Sequence, residues 1–210
     1  MFGLQLANVR YFQGRLGELV EPLVQVAGQP DSLSGLRAEA AVALIESGRA
    51  DEARELVLAE DFQSVPWDSV WSMVIFVWAD ACSRLGLIDR AGELYELLQP
   101  FPGQVAAASL MYGATDWALG TLATTFERHE QAEDHFAAAA ELDERLGAPL
   151  LLARSRAGWA RALIARGRPV DVERAEQMLG QADEVAAQLG GGLVSREVAE
   201  CRAELAPISR

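Results

Sequence analysis

The feature that most constrains the fold of this chain is an internal repeat. Five short segments share one order of residues, in which a turn is followed by an acidic residue and then by an apolar residue that opens a helix. The segments are GRLGEL, GRADEA, GLIDRA, ERHEQA and GRPVDVERA. They end at positions 19, 53, 91, 132 and 175, so successive copies are 34, 38, 41 and 43 residues apart. Such periods are typical of helical arrays, in which each repeat buries its apolar face against its neighbours.

Positions that were not used to find the repeat also agree between the copies. Twelve residues before each segment end, or fifteen in the last copy, the residue is always small: Ala7, Ala41, Ala79, Gly120 and Ala160. Four residues after the segment end, the residue is always apolar: Leu23, Val57, Tyr95, Phe136 and Leu179. Small residues let two helices of a pair approach closely, and the apolar set continues one face of the second helix.

The pattern predicts five helix pairs and one final helix that caps the array. The first helices are predicted at 3–13, 34–47, 67–85, 108–126 and 149–166, and the second helices at 17–28, 50–60, 88–99, 130–146 and 172–189, with the cap at 192–205. Several prolines fall between the pairs, where they interrupt no helix. No segment shows the two-residue alternation that is typical of a strand, so we expect an all-α fold in one domain over residues 1–210.

The pattern resembles the tetratricopeptide repeat (TPR), most clearly in LGTLATTFERHEQAEDHFAAAAEL, residues 119–142. The copies depart from the family pattern at Arg10 and Ala123, where a large or aromatic residue is usual, and at Glu127, which replaces the turn glycine. The resemblance implies a right-handed α-α superhelix of about five pairs. Its concave face would be built from the first helices.

The segment from His135 to Gly190 has a second resemblance. It is similar to the C-terminal repeat region of LuxR-type ATP-dependent regulators and of multidomain class III adenylate cyclases, which are bacterial signalling proteins. In those proteins the repeats follow a nucleotide-binding module and are thought to receive a signal or a partner. Neither that module nor a DNA-binding helix-turn-helix is visible here. The resemblance implies a regulatory role, for a free-standing relative or a fragment of a larger regulator.

Composition restricts the partners and the chemistry. The net charge is −13, and all eighteen basic residues are Arg, a usage typical of a GC-rich bacterial genome. An acidic chain without a basic surface is not expected to bind nucleic acid directly. The longest apolar run, 73–79, is too short to span a membrane, and the start of the chain lacks the pattern of a secretory signal, so we expect a cytoplasmic protein. The absence of Lys excludes the phosphate loop GxxxxGK[ST] and Schiff-base catalysis.

No group of residues predicts an enzyme, a cofactor or a metal site. Cys82 and Cys201 are expected to be buried free thiols. His129 and His135 are six residues apart, which places them on different faces of a helix, and we expect both on the solvated outer face. Acidic pairs such as Asp143–Glu144 are expected at turns or on the surfaces of second helices. Trp67, Trp71 and Trp78 have helical spacing; Trp78 is expected in the core, whereas Trp67 and Trp71 are either core residues or exposed contacts.

The first helices supply the candidate binding residues. These are Tyr11, Phe12, Phe76, Asp80, Arg84, Trp117, Thr121, Thr124, Arg154 and Arg161. Such a surface is apolar early, rich in hydroxyls midway and basic late, which would suit an amphipathic or extended peptide, or a partner domain. Two alternatives remain open: the same residues pack generically against neighbouring helices, or they line a pocket for a small ligand, as in a sensor domain. The end of the stack at helix 3–13 would also allow a homodimer.

Overall fold

The chain has an all-α fold of paired helices. The computed structural model describes residues 2–108 and 110–206, and side chains from residue 5 onward. The α-helices of these residues are α1 Phe2–Phe12, α2 Val20–Ala27, α3 Ser34–Glu46, α4 Ala50–Ala59, α5 Trp71–Arg84, α6 Ile88–Leu98, α7 Thr115–Thr125, α8 His129–Arg145, α9 Pro149–Arg166, α10 Pro169–Leu189 and α11 Gly192–Leu205. Two short 3-10 helices, Leu16–Leu19 and Phe62–Ser64, stand at connections. The predicted all-α class is confirmed.

Four helix pairs stack along the chain through their first helices. The pairs are α3–α4, α5–α6, α7–α8 and α9–α10, and the first helices α3, α5, α7 and α9 contact one another in that order. Ala41, Ala79 and Ala160 are fully buried, and a side chain at Gly120 would meet the ring of Phe136. The predicted small position therefore lies where helices approach closely, as their packing requires.

The turns between paired helices explain one departure from the repeat pattern. The left-handed backbone conformation, which favours glycine, occurs at Gly48 (φ 79°), Gly86 (φ 63°) and Gly167 (φ 70°). The fourth pair keeps the same conformation at Glu127 (φ 59°), although a side chain is disfavoured there. The turn is thus set by the packing of α7 on α8, not by the residue at its bend.

The segment before α7 was predicted wrongly as helix. Within it, Val105–Ala107 pairs with Met111–Ala114 as an antiparallel hairpin, and Ser109 lies outside the described residues. Helix α7 begins only at Thr115, where the side-chain Oγ1 donates a hydrogen bond of 2.8 Å to the carbonyl of Phe101. The hairpin is too short to show a strand alternation, which is why its sequence gives no such signal.

Helix α5 also begins later than predicted, at Trp71. Trp71 and Trp78 are buried, which confirms Trp78 as a core residue, whereas Trp67 lies before the helix and is 67% exposed. The ring of Trp67 packs on Trp71 and Phe101, at centroid distances of 4.3 and 4.9 Å. Pro66 breaks the helical pattern just before these residues.

The two ends of the chain meet, because α11 packs on α9 and α10 and also contacts α1. The backbones approach so closely that a Cβ atom at Gly192 would lie 2.2 Å from the carbonyl oxygen of Gln13, and one at Gly14 would lie 2.9 Å from the nitrogen of Leu193. Arg196 of α11 donates a hydrogen bond of 2.6 Å to Glu46 of α3. Helices α1 and α11 therefore contact each other, and α11 packs against the stack.

Helix α1 does not pack as the first helix of an ordinary pair. Leu6 directly precedes the small position Ala7, as Trp78 directly precedes Ala79 in the third copy, yet Leu6 is 40% exposed whereas Trp78 is fully buried. Leu23 on α2 is buried like its counterparts in the other copies. Exposed Leu6 and Val9 leave an apolar strip on α1, and the homodimer through this helix stays a prediction.

Candidate functional site

A cavity of about 290 Å³ lies between α5, α7, α9 and α11, and we call it the central cavity. Its lining includes Asp80, Ser83, Arg84, Trp117, Thr121, Thr124, Phe136, Ala157, Arg161, Glu197 and Glu204. The volume is near the lower end of the range of roughly 300–1,000 Å³ that is usual for small-molecule sites. The hydroxyls of Thr124 and Thr125 donate hydrogen bonds of 2.8 and 3.0 Å to carbonyls of their own helix. The methyl groups of these two side chains therefore point away from the helix backbone.

A buried network of charged groups forms one wall of the central cavity. Arg154 donates hydrogen bonds to the Tyr11 hydroxyl at 2.9 Å, to Asp80 Oδ2 at 3.1 Å and to Glu197 Oε1 at 3.1 Å. The Tyr11 hydroxyl donates to Asp80 Oδ2 at 2.7 Å, and Arg84 donates to Asp80 Oδ1 at 2.7 Å. The network joins α1, α5, α9 and α11 in one set of contacts, so it connects the two ends of the chain to the stack.

The charges in this network compensate one another. Burial raises the pKa of Asp80, but Arg84 and Arg154 outweigh that effect, and the net direction of its pKa is downward. The guanidinium of Arg154 also lies 3.8 Å from the ring centroid of Trp117, a cation–π contact. Asp80 is therefore an ionised structural group with both of its oxygens occupied.

Four polar groups on residues that line the central cavity have no hydrogen-bond partner among the described residues. They are the hydroxyl of Ser83, Nη2 of Arg84, the indole Nε1 of Trp117 and Nε of Arg161, and each is buried. Arg84 Nη2 lies 3.6 Å from Glu197 Oε1, which is beyond hydrogen-bond distance. Buried donors without a partner are costly and uncommon. All four belong to residues that line one cavity, which indicates a place where a ligand or water accepts hydrogen bonds.

The structure brings six of the ten predicted binding residues to the central cavity. These are Asp80, Arg84, Trp117, Thr121, Thr124 and Arg161. Tyr11 and Arg154 are almost fully buried in the network beside it, Phe76 is fully buried against Trp117, and Phe12 is half-buried against the core. These first-helix residues therefore converge on one cavity, which is open to solvent beside Ala165.

Sequence reasoning missed the contribution of α11, which was predicted only to cap the array. Glu197 and Glu204 of this helix line the central cavity. The apolar stripe of α11 runs through Val194, Val198 and Cys201, and Glu197 is 7% exposed next to it. A carboxylate within the buried stripe of a helix is the signal that would have found Glu197, because such a group needs a charged partner.

Two predictions are wrong, one for a histidine, His135, and one for a carboxylate, Asp143; both were expected on the surface. His135 is not on a solvated face, since its Nδ1 lies 3.1 Å from Asp116 Oδ1 and its Nε2 lies 3.0 Å from the Tyr95 hydroxyl. Asp143 is buried and accepts a hydrogen bond of 2.7 Å from Ser155. Burial raises the pKa of Asp143 to about 6. Cys82 and Cys201 are buried free thiols, as predicted.

No protein-family model matches the chain, and no curated protein is similar enough to count as a relative. Within the described residues, no helix has the length and apolar character to cross a membrane. Within the same residues, no group of three or more His, Cys, Asp or Glu side chains is placed to hold a metal ion. The central cavity is therefore the candidate functional site.

Proposed function

We propose that this chain is a regulatory module that binds a small ligand in the central cavity. The observation that carries the proposal is the set of four buried donors without a hydrogen-bond partner, on Ser83, Arg84, Trp117 and Arg161. A ligand that accepts hydrogen bonds would satisfy them at once. The resemblance to the repeat regions of bacterial regulators supports a regulatory role, because those regions are thought to receive a signal or a partner.

The same geometry speaks against an open peptide groove along the first helices. A peptide needs an accessible channel across several repeats. Tyr11 and Arg154 are 1% and 2% exposed, and Phe76 is fully buried, because α1 and α11 lie across this side of the stack. A peptide would have to displace these helices and break the network that Arg154 organises. A small ligand needs no such rearrangement.

The lining indicates the chemical class of the ligand. The unpartnered donors favour an acceptor such as a carboxylate, a carbonyl or a phosphate oxygen. Phe136, Ala157 and the threonine methyl groups favour an apolar body. The carboxylates of Glu197 and Glu204 add acceptors at the α11 side, where an amine or hydroxyl of the ligand would donate. We therefore expect a small polar or zwitterionic molecule with a short apolar part.

Regulation follows from the position of the cavity between four helices. Helix α11 provides one side of it, and through Arg196 the same helix also holds Glu46 of α3. A ligand that contacts both α11 and the first helices would stabilise this closed arrangement over one in which α11 is released. Such differential binding is what a ligand needs in order to shift a conformational equilibrium.

The proposal is tested by thermal unfolding with a set of amino acids, small dicarboxylates and nucleotides, followed by calorimetry of each hit. A ligand at about 100 times its Kd would raise the Tm of this chain by roughly 5–10 °C. Ala165 is exposed on α9 and lines the cavity, so Ala165→Trp should block the site without disturbing the core. Ala138→Trp, on the exposed side of α8, is the matched control.

The expected result is a Tm rise in the wild type and in Ala138→Trp that is lost in Ala165→Trp. The proposal is overturned if no compound in the set shifts the Tm, or if Ala165→Trp binds the hits as the wild type does. In the second case the compounds bind elsewhere on the chain.

A further inference from the structure

A second cavity of about 290 Å³ lies near the N-terminal end of α5, between α1, α3, the segment 65–70 and the hairpin, and we call it the side cavity. Most of its lining is apolar, with Leu36, Val65, Met73 and Val74 among the contributors. Leu33 also lines it and is 69% exposed, so the cavity opens to solvent beside an apolar side chain. It shares no lining residue with the central cavity.

Three polar side chains meet at one part of this apolar space: Asn8 from α1, Glu39 from α3 and Tyr112 from the hairpin. All three are buried, and Glu39 is 4% exposed. The Tyr112 hydroxyl donates to Asn8 Oδ1 and lies 3.1 Å from Glu39 Oε1. A hydroxyl has a single proton, so Asn8 and Glu39 share one donor. The other oxygen of Glu39, Oε2, has no hydrogen-bond partner among the described residues.

The side cavity contains no compensating cation. The ionisable residues that line it are Glu39, Tyr112 and Asp68, and Asp68 is acidic like Glu39. No Arg or His is among the described residues that line it. A carboxylate this deeply buried ordinarily has a cationic partner, because an isolated charge in an apolar surrounding is very costly. The ionised form of Glu39 lacks a donor at Oε2, and a positive charge would suit both Glu39 and Asp68.

We propose that the side cavity binds a small apolar amine, with the ammonium group against Glu39 and the hydrocarbon part against Val65, Met73 and Val74. The ammonium would donate to Oε2 of Glu39, and the apolar body would replace water along the walls. A carboxylate ligand is disfavoured by the two acidic residues. An alcohol would supply a donor but no charge, so it should bind more weakly than an amine of the same length.

The titration of Glu39 agrees with this geometry. Burial raises its pKa to about 7, although the hydrogen bond from Tyr112 acts in the opposite direction. The titratable groups that share the cavity with Glu39 are Tyr112 and Asp68. Glu39 is thus largely protonated at pH 6 and largely ionised at pH 8. An ammonium ligand binds the ionised form, so its affinity should rise about tenfold across that interval.

The test uses calorimetry with n-hexylamine, n-hexanol and hexanoate at pH 6 and pH 8. The isosteric variant Glu39→Gln removes the charge, and Glu55→Gln, an exposed carboxylate on α4, is the matched control. Leu33→Trp narrows the opening at an exposed position, which keeps the test available even if Glu39→Gln folds poorly. Ala165→Trp, which blocks the central cavity, separates this site from the one proposed above.

Hexylamine should bind to the wild type, to Glu55→Gln and to Ala165→Trp, and more tightly than hexanol. Its affinity for these three proteins should be about tenfold higher at pH 8 than at pH 6. Glu39→Gln should weaken hexylamine at least tenfold and leave hexanol unchanged, and Leu33→Trp should weaken both. The proposal is wrong if hexanol matches hexylamine in the wild type, if Glu39→Gln binds hexylamine normally, or if the pH dependence is absent. Loss of binding in Ala165→Trp would assign the amine to the central cavity instead.

Discussion

Asp80 and Glu39 are two buried carboxyl groups in similar settings, and they behave in opposite ways. Each lies on the first helix of a pair and each is paired with a tyrosine hydroxyl, Tyr11 for Asp80 and Tyr112 for Glu39. Asp80 also has the guanidinium groups of Arg84 and Arg154, and the net direction of its pKa is downward. Glu39 has no such partner, and burial raises its pKa to about 7. The cations therefore decide the charge state, and the tyrosine does not.

The difference separates two kinds of site. At Asp80 the protein supplies every partner, so the group fixes the arrangement of α1, α5, α9 and α11. At Glu39 the protein supplies one shared donor, so the group is an unfinished contact that a ligand can complete. A buried carboxylate is thus a structural element when its charge is matched, and a candidate binding group when it is not.

The largest expected effect comes from replacing each carboxyl by its amide. Asp80→Asn leaves Arg84 and Arg154 buried without their main counter-charge, and we expect it to lower the free energy of unfolding by about 3–5 kcal/mol. Glu39→Gln keeps the shape and removes an uncompensated charge, so at pH 8 its stability should equal or exceed that of the wild type. Urea unfolding of both variants at pH 8 measures this. Equal losses in the two variants would mean that the cations do not distinguish the two groups.

The second expected effect is a dependence of stability on pH that originates at Glu39. Its pKa in the folded state is about 7, above the value of about 4.3 for an unfolded chain, so the folded state binds the proton more tightly. That stabilisation is fully present below about pH 4 and is lost as the pH rises to 7, an effect on the order of 3 kcal/mol. Asp143, with a pKa of about 6, acts in the same direction. Asp80 contributes nothing here, because its lowered pKa places its titration below this interval.

The measurement is the midpoint of urea unfolding from pH 4.5 to pH 8 in the wild type, Glu39→Gln and Asp143→Asn. Glu39→Gln should remove most of the decline and Asp143→Asn a smaller part. A stability difference between the wild type and Glu39→Gln that stays constant over this interval would contradict the assignment of a raised pKa to Glu39.

Much of the fold could be predicted from the sequence, because local sequence patterns indicate where each helix begins and ends and which helices form a pair. The bounds of α3, α4, α9 and α11 agree with prediction to within about one residue, since glycine, proline and apolar spacing all act within one or two turns. The hairpin at 105–114 was missed because its strands are only three and four residues long. The hairpin depends on contacts with residues that are close in space but distant in sequence, so local patterns do not predict it.

The candidate sites were predictable only in part, for the same reason. Convergence of Arg84, Trp117 and Arg161 follows from their positions on first helices. Helix α11 also lines the cavity, and its first residue, Gly192, lies against Gly14 near the opposite end of the chain, an approach that no repeat pattern predicts. Glu39 does carry a local signal, because it lies among the apolar residues 38–44 of α3, where a charged side chain is out of place.

The smallest expected effect separates the two tyrosines that donate to these carboxyl groups. Tyr11→Phe removes a hydrogen bond to a charged group and an acceptor for Arg154, so it should cost about 2 kcal/mol, equally at pH 5 and pH 8, because Asp80 is ionised at both. Tyr112→Phe should cost about 1 kcal/mol at pH 5 and more at pH 8, because the hydroxyl helps to stabilise only the ionised form of Glu39. Urea unfolding of both variants at the two pH values measures the difference. The opposite result is a loss of stability that depends on pH in Tyr11→Phe and is constant in Tyr112→Phe. It would contradict the charge states assigned to Asp80 and Glu39.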